Sequence, residues 1–285
     1  MDNHIERTRR AKLIGRDSNA TISYLLEKAD FDPMTMARYS ANDESRLANL
    51  FWADGICRAD YQCFGDVLAF DTTYQKNKYR RPLVIFLGFN HYLQTCIFGF
   101  TLIEDKQMAT YTWLLQNFLD VMLNKSPSVV VTDDDEAMKA AIQEIFPNVT
   151  HRLCGWQIQK NVTTNTKNKE KNEWVLNEYQ NRKSWASAYL QDKFCAGFRT
   201  TSRCEGINNF IKRFIGILQS LLELVQNLEH ALRDYRHNEL VSQFKKVYGE
   251  PVLTTRLAAL EICAANFYTR EMFGKVKQRL KEWLH

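Results

Sequence analysis

A mixed α/β sheet with flanking helices is the fold class that this sequence predicts, and three features predict it. Short apolar runs bounded by turn residues cluster between residues 65 and 103; helical periodicity and short apolar runs then alternate as far as residue 153; beyond about residue 174 the pattern is helical. With 45% hydrophobic residues in a chain of 285, there is apolar material for one large core, or for one core with a helical appendage.

The N-terminus, Met1 to Arg16, carries Arg7, Arg9, Arg10, Lys12 and Arg16 without an apolar segment, so it reads as a solvated end and not as a secretory signal. Residues 17–60 read as a helical lead-in: Leu25 and Leu26 precede Phe31-Asp32-Pro33, and Arg46 to Trp52 resumes an apolar face. Gly65 to Phe70 alternates loosely and ends in Asp71; Leu83 to Phe89 and Thr95 to Ile103 are nearly continuous apolar runs. These are three strands, antiparallel if hairpins join them. Tyr111, Leu115, Phe118, Leu119 and Met122 share one helical face. Val129 to Val131 makes a short buried strand, and a helix carrying Ala137, Ala140, Ala141 and Ile145 is stopped by Pro147. Val149 to Leu153 reads as a fifth strand, giving three antiparallel strands followed by two parallel ones.

The Lys- and Asn-rich stretch 161–173 lacks apolar periodicity and reads as a loop. Trp174 to Gln191 and the segment from Ser202 are helical in pattern. A long helix from about Leu218 presents Leu221, Val225, Leu228, Leu232 and Tyr235 as a stripe, and a last helical segment begins near Thr254. The expected division is a basic end and lead-in over 1–60, a core over 61–216 and a C-terminal helical region over 217–285.

The net charge of +5 and the pI near 8.7 are compatible with a nucleic-acid partner without demanding one. No stretch of about 18 apolar residues occurs, so no membrane span is expected. Seven scattered cysteines form no C-x-x-C pair, which points to a reducing compartment and away from a disulfide framework or zinc knuckle.

Three carboxylates stand at places where strands or helices deliver side chains: Asp71, Asp133 and Glu205. A two-metal phosphodiester site needs such a set, with cations roughly 3.5–4 Å apart clamping the attacking and leaving oxygens. Each also has a structural explanation. Asp71 in F-D-T-T-Y suits a turn former. Asp133 opens D-D-D-E, where acids complement a helix N-terminus. Ser202 and Glu205 have capping-box spacing. Of the acidic run, Asp133 follows its strand directly and is the candidate ligand. After Asp71, Lys76, Lys78, Arg80 and Arg81 interleave with Tyr74 and Tyr79, a composition suited to a nucleic-acid backbone and equally to a polar hairpin tip.

Taken together, these segments resemble the Mutator-like-element transposase domain, and within it the plant far-red-impaired-response family. The resemblance rests on Arg46 to Asp54, Asp60-Tyr61, Phe64 to Val67, Phe70-Asp-Thr-Thr-Tyr74, Asn77 to Tyr79, Gly88 to His91, Thr132-Asp133, Ala137 to Ile142, Phe146 to Asn148, His151-Arg-Leu-Cys154, Ser184-Trp185, Ala188-Tyr189, Phe194, Ala196-Gly197 and Ser202 to Asn208. It implies a ribonuclease-H-like fold with an acidic triad on Asp71, Asp133 and Glu205, using Mg²⁺ or Mn²⁺ where active. It further implies nuclear, transposase-derived regulators of transcription that bind DNA.

The family's flanking zinc-binding modules have no counterpart in these residues, so zinc is not expected and DNA binding by this chain alone is expected to be weak or non-specific. Two departures weaken strand chemistry. The family's C-x-W-H pattern stands here as Cys154-Gly-Trp156-Gln157, and neutral Gln neither takes a proton nor ligates metal as imidazole does. The stretch from about 157 to 200 is shorter than the family's helical insertion. The favoured reading is therefore a regulator without strand-transfer activity. The alternatives are an active two-metal transposase and a homo- or heterodimerisation partner of longer relatives.

Overall fold

The computed structural model describes residues 15–73, 79–91, 94–153, 179–180, 182, 185, 202–216, 219–247, 254, 257–268 and 270–283. Among them, seven strands form one mixed sheet: β1 (Met36–Ala41), β2 (Leu47–Ala53), β3 (Val67–Thr73), β4 (Leu83–Phe89), β5 (Thr95–Leu102), β6 (Val129–Thr132) and β7 (Thr150–Leu153). Their order across the sheet is β1-β2-β5-β4-β3-β6-β7. Every pairing from β1 to β3 is antiparallel, whereas β3–β6 and β6–β7 are parallel. The mixed sheet read from the sequence is thus present, three antiparallel strands leading into two parallel ones. β4 and β5 are buried along their whole length, so both faces of the sheet are covered there.

The helices are α1 (Arg16–Phe31), α2 (Gly55–Phe64), α3 (Met108–Val121), α4 (Glu136–Ile145), α5 (Ser202–Ile211), α6 (Leu221–Val247), α7 (Ala258–Phe267) and α8 (Arg270–Trp283). Tyr61 of α2 meets Phe98 of β5 and Phe118 of α3 edge-on, each with ring centroids 5.0 Å apart. Phe118 also packs on Phe86 at 4.3 Å, so α2 and α3 share one face, with α4 beside α3. Helix α1 packs with α6, and α5 packs on β3.

One expectation needs correction. The lead-in over residues 17–60 is only partly helical: α1 is followed by the β1–β2 hairpin, turned at Asn42 to Ser45 with Ser45 at φ 56°. Arg46 to Trp52 is largely strand β2, not a helical face. All seven residues of β2 are buried, so no polar alternation marks it, and a strand buried on both faces is indistinguishable in pattern from a buried helical segment. Leu221, Leu224, Val225, Leu228 and Leu232 of α6 enter the same core as the sheet, so the stripe on this helix is internal packing.

Long-range polar contacts explain why α6 docks. Asp17 of α1 accepts from the amides of Leu221 (2.8 Å) and Leu222 (3.3 Å), capping α6 from another element. Glu229 accepts from Tyr24 and Lys28 of α1. Arg236 donates to both carboxylate oxygens of Asp54 at 2.6 and 2.8 Å. Asp54 is itself the N-cap of α2, accepting from the Cys57 amide. The last helical segment is two helices, α7 and α8, packed together through buried residues that include Ala264 and Phe273. Most of the helix expected over Trp174 to Gln191 lies outside the described residues.

Candidate functional site

Strands β3 and β6 run parallel with Val67 opposite Val129, Leu68 opposite Val130 and Ala69 opposite Val131. Carried two residues further, that register brings Asp71 beside Asp133, at the roughly 4.8 Å spacing of neighbouring strands. Their carboxyl groups share a hydrogen bond. Alternation along β3 explains the aim of Asp71: Thr72 turns toward α3, where its hydroxyl lies 3.1 Å from Tyr111 Oη, so Asp71 projects from the opposite face.

Burial raises the Asp71 pKa; the hydrogen bond with Asp133, the Thr72 amide and the charge of Lys106 oppose that without cancelling it. A partly desolvated carboxyl pair of this kind favours either a shared proton or a cation. Tyr111 is pushed up to about 12, by burial first and by the surrounding aspartates next, so it remains a neutral hydroxyl.

The other acids of the run are occupied structurally. Asp135 is the N-cap of α4, accepting from the Met138 amide at 2.9 Å, while Asp134 and Glu136 both pair with Lys139. The turn carrying Asp133 is held from β7. His151 Nε2 lies 2.8 Å from the Thr132 hydroxyl, which donates to the Asp133 carbonyl at 3.0 Å. Burial, then the charge of Lys139, lowers the His151 pKa to about 4, so it is a neutral imidazole at pH 7. Sequence reasoning used His151 for the resemblance alone and missed this link, which joins the last residue of β6 to the second residue of β7 across the parallel pair.

The main chain of Glu205 lies in the first turn of α5, the helix that packs on β3; its side chain lies outside the described residues. Lys76, Lys78, Cys154, Trp156 and Gln157 also lie outside them. Among the described residues no three metal-binding side chains converge; the site there is the Asp71–Asp133 pair. Of the four basic residues expected to meet DNA, Arg80 is exposed. Arg81 instead serves the fold, its guanidinium bonding the carbonyls of Leu47 and Ala48 and so holding the loop to the start of β2.

Residues 67–161 match the family model of the MULE transposase domain. Over 96% of its length the chain is 28% identical to two Arabidopsis thaliana proteins, Protein FAR-RED IMPAIRED RESPONSE 1 and Protein FAR1-RELATED SEQUENCE 5, covering 38% and 39% of them respectively. It is 27% identical to Protein FAR1-RELATED SEQUENCE 9 of the same plant, over 85% of this chain and 51% of that one. The chain therefore spans about two fifths of the first two relatives. The first alignment runs over 312 positions yet takes up 96% of 285 residues, so that relative carries several tens of residues without a counterpart here.

Proposed function

We propose that this chain, which carries the MULE transposase match over residues 67–161 and resembles the FAR1-related proteins along nearly its whole length, is a transposase-derived, nuclear, DNA-associated regulator of transcription that performs no strand chemistry. The observation that carries the transposase descent is the placement of Asp71, on β3, beside Asp133, which directly follows the neighbouring parallel strand β6, with the helix of Glu205 packed on β3. The strand order β5-β4-β3-β6-β7, three antiparallel then two parallel, supports a ribonuclease-H-like core, with β1 and β2 extending it beyond β5.

The site suits a hard divalent cation such as Mg²⁺ or Mn²⁺: two carboxylates whose mutual repulsion and partial desolvation a cation relieves. Asp71 and Asp133 would hold it, joined by Glu205, and it would supply Lewis-acid stabilisation of phosphodiester oxygens. The chain's own residues set the rest. Thr132 and His151 fix the main chain at Asp133, and Lys106 adds positive charge beside Asp71.

Against strand chemistry stand Gln157 where the family pattern has histidine, and the tens of residues of the first relative that have no counterpart in this chain. Phosphoryl chemistry tolerates little misplacement: a shift of about 1 Å costs on the order of a hundredfold in rate. The dimer reading is weakened because the stripe on α6 is already buried in the core.

A reporter assay in plant cells tests the proposal. Asp71→Ala is expected to leave the effect on transcription intact; loss of that effect in a folded variant, together with metal-dependent cleavage by the wild type, would establish the transposase instead.

A further inference from the structure

Given the DNA-associated reading proposed above, on which this rests, we infer that the turn Tyr79-Arg80-Arg81 between β3 and β4 is a preorganised contact for a backbone phosphate of duplex DNA. Arg80 makes the contact, and Tyr79, held by Asp17, is its positioning residue.

The backbone singles Arg80 out. Its φ is 53°, in the left-handed region that residues with a side chain rarely adopt. Such a conformation is strained and persists only where flanking contacts over-determine it. Those contacts stand on both sides. Before Arg80, the Tyr79 hydroxyl donates to Asp17 Oδ2 at 2.9 Å. That carboxylate is itself fixed, because the amides of Leu221 and Leu222 donate to it from the first turn of α6. After Arg80, the Arg81 guanidinium bonds the carbonyls of Leu47 and Ala48. Pro82 disfavours a helical conformation at Arg81, and its carbonyl accepts from the Ile103 amide at 3.1 Å. The strained residue is thus clamped by anchors from α1, β2 and the end of β5.

What the clamp presents is a cation. Arg80 is exposed and makes no hydrogen bond or ion pair among the described residues, whereas Arg81 is committed to the fold. The turn rejoins the sheet where Leu83 pairs with Thr73, two residues beyond Asp71. A duplex laid across the sheet end that carries Asp71 brings its backbone to this turn as well. The guanidinium fork matches phosphate oxygens, and a side chain on a fixed backbone loses less freedom when it binds. Burial, then Asp17, pushes the Tyr79 phenol up, so it stays a neutral donor.

Fluorescence anisotropy with labelled duplex DNA at about 50 mM salt, where phosphate contacts are strong, tests this. Arg80→Ala should weaken binding about fivefold and Tyr79→Phe about threefold. The double variant should bind as Arg80→Ala alone does, because Tyr79 acts through Arg80. Arg80→Gly, which adopts this φ freely, should melt about 2–4 °C above Arg80→Ala. Additive losses in the double variant would make Tyr79 an independent contact and overturn the inference. So would unchanged affinity in Arg80→Ala, or equal melting of the Gly and Ala variants. In each of those cases the wild type still binds DNA; a wild type that fails to bind overturns the DNA-associated reading as well.

Discussion

Arg236→Met tests whether the C-terminal helices are part of the core. Arg236 gives Asp54 two short charge-assisted hydrogen bonds, at 2.6 and 2.8 Å, and a third contact to Cys57 Sγ at 3.2 Å. Breaking a fully buried pair costs about 3–5 kcal/mol, whereas exposed pairs contribute about 0–1 kcal/mol. With side chains 17% and 37% exposed, this pair lies between those limits. Methionine preserves much of the apolar stem, so the expected loss is about 2–3 kcal/mol.

The pH dependence identifies the cause. Burial pushes the Asp54 carboxyl up, but the hydrogen bond and charge of Arg236, with the Cys57 amide, outweigh it and hold the group below its usual range. A carboxyl lowered in the folded state contributes stability above its unfolded pKa of about 3.9 and loses it as pH falls through the folded value. The gap between wild type and Arg236→Met should therefore be full at neutral pH and shrink in acid below about pH 4. Urea denaturation at several pH values measures it, with hydrogen exchange showing whether α6 loosens first. A loss under about 0.5 kcal/mol, the scale of an ordinary surface change, or a gap that does not vary with pH, refutes the reasoning.

In metal-free buffer, Asp71→Asn should stabilise the fold at pH 7 by on the order of 1 kcal/mol. The carboxyl is raised in the folded state, so its favourable contribution is present in acid and lost as pH rises; the gain should vanish near pH 3, and added Mg²⁺ should narrow it by stabilising the wild type alone. Thermal melts at both pH values, with and without Mg²⁺, provide the check. Arg81→Ala should destabilise the protein by about 1–3 kcal/mol through the abandoned Leu47 and Ala48 carbonyls, whereas Arg80→Ala should leave stability unchanged and weaken DNA retention in a gel-shift assay.

The strands from β3 to β7 were legible because short apolar runs, turn residues and Pro147 mark their ends. β1 and β2 were not: Met-Ala-Arg-Tyr-Ser-Ala is half-buried without alternation, and β2 is buried throughout. The helical pattern of α6 was plain, but its docking depends on Asp17 and Asp54, which lie 204 and 182 residues away from their partners. Strand ends flagged Asp71 and Asp133 individually, whereas their adjacency is a property of the β3–β6 register, which no local pattern encodes. Arg81 looked like a DNA contact because a cation in a loop reads the same whether it meets phosphate or a neighbouring strand's carbonyls.

The most direct test of the central claim is a strand-cleavage and strand-transfer assay with the purified chain, Mn²⁺ and labelled duplex DNA. The account predicts no turnover above a metal-free control. Metal-dependent product that Asp71→Ala and Glu205→Gln both abolish would contradict it, and would mean that this acidic site performs phosphodiester chemistry.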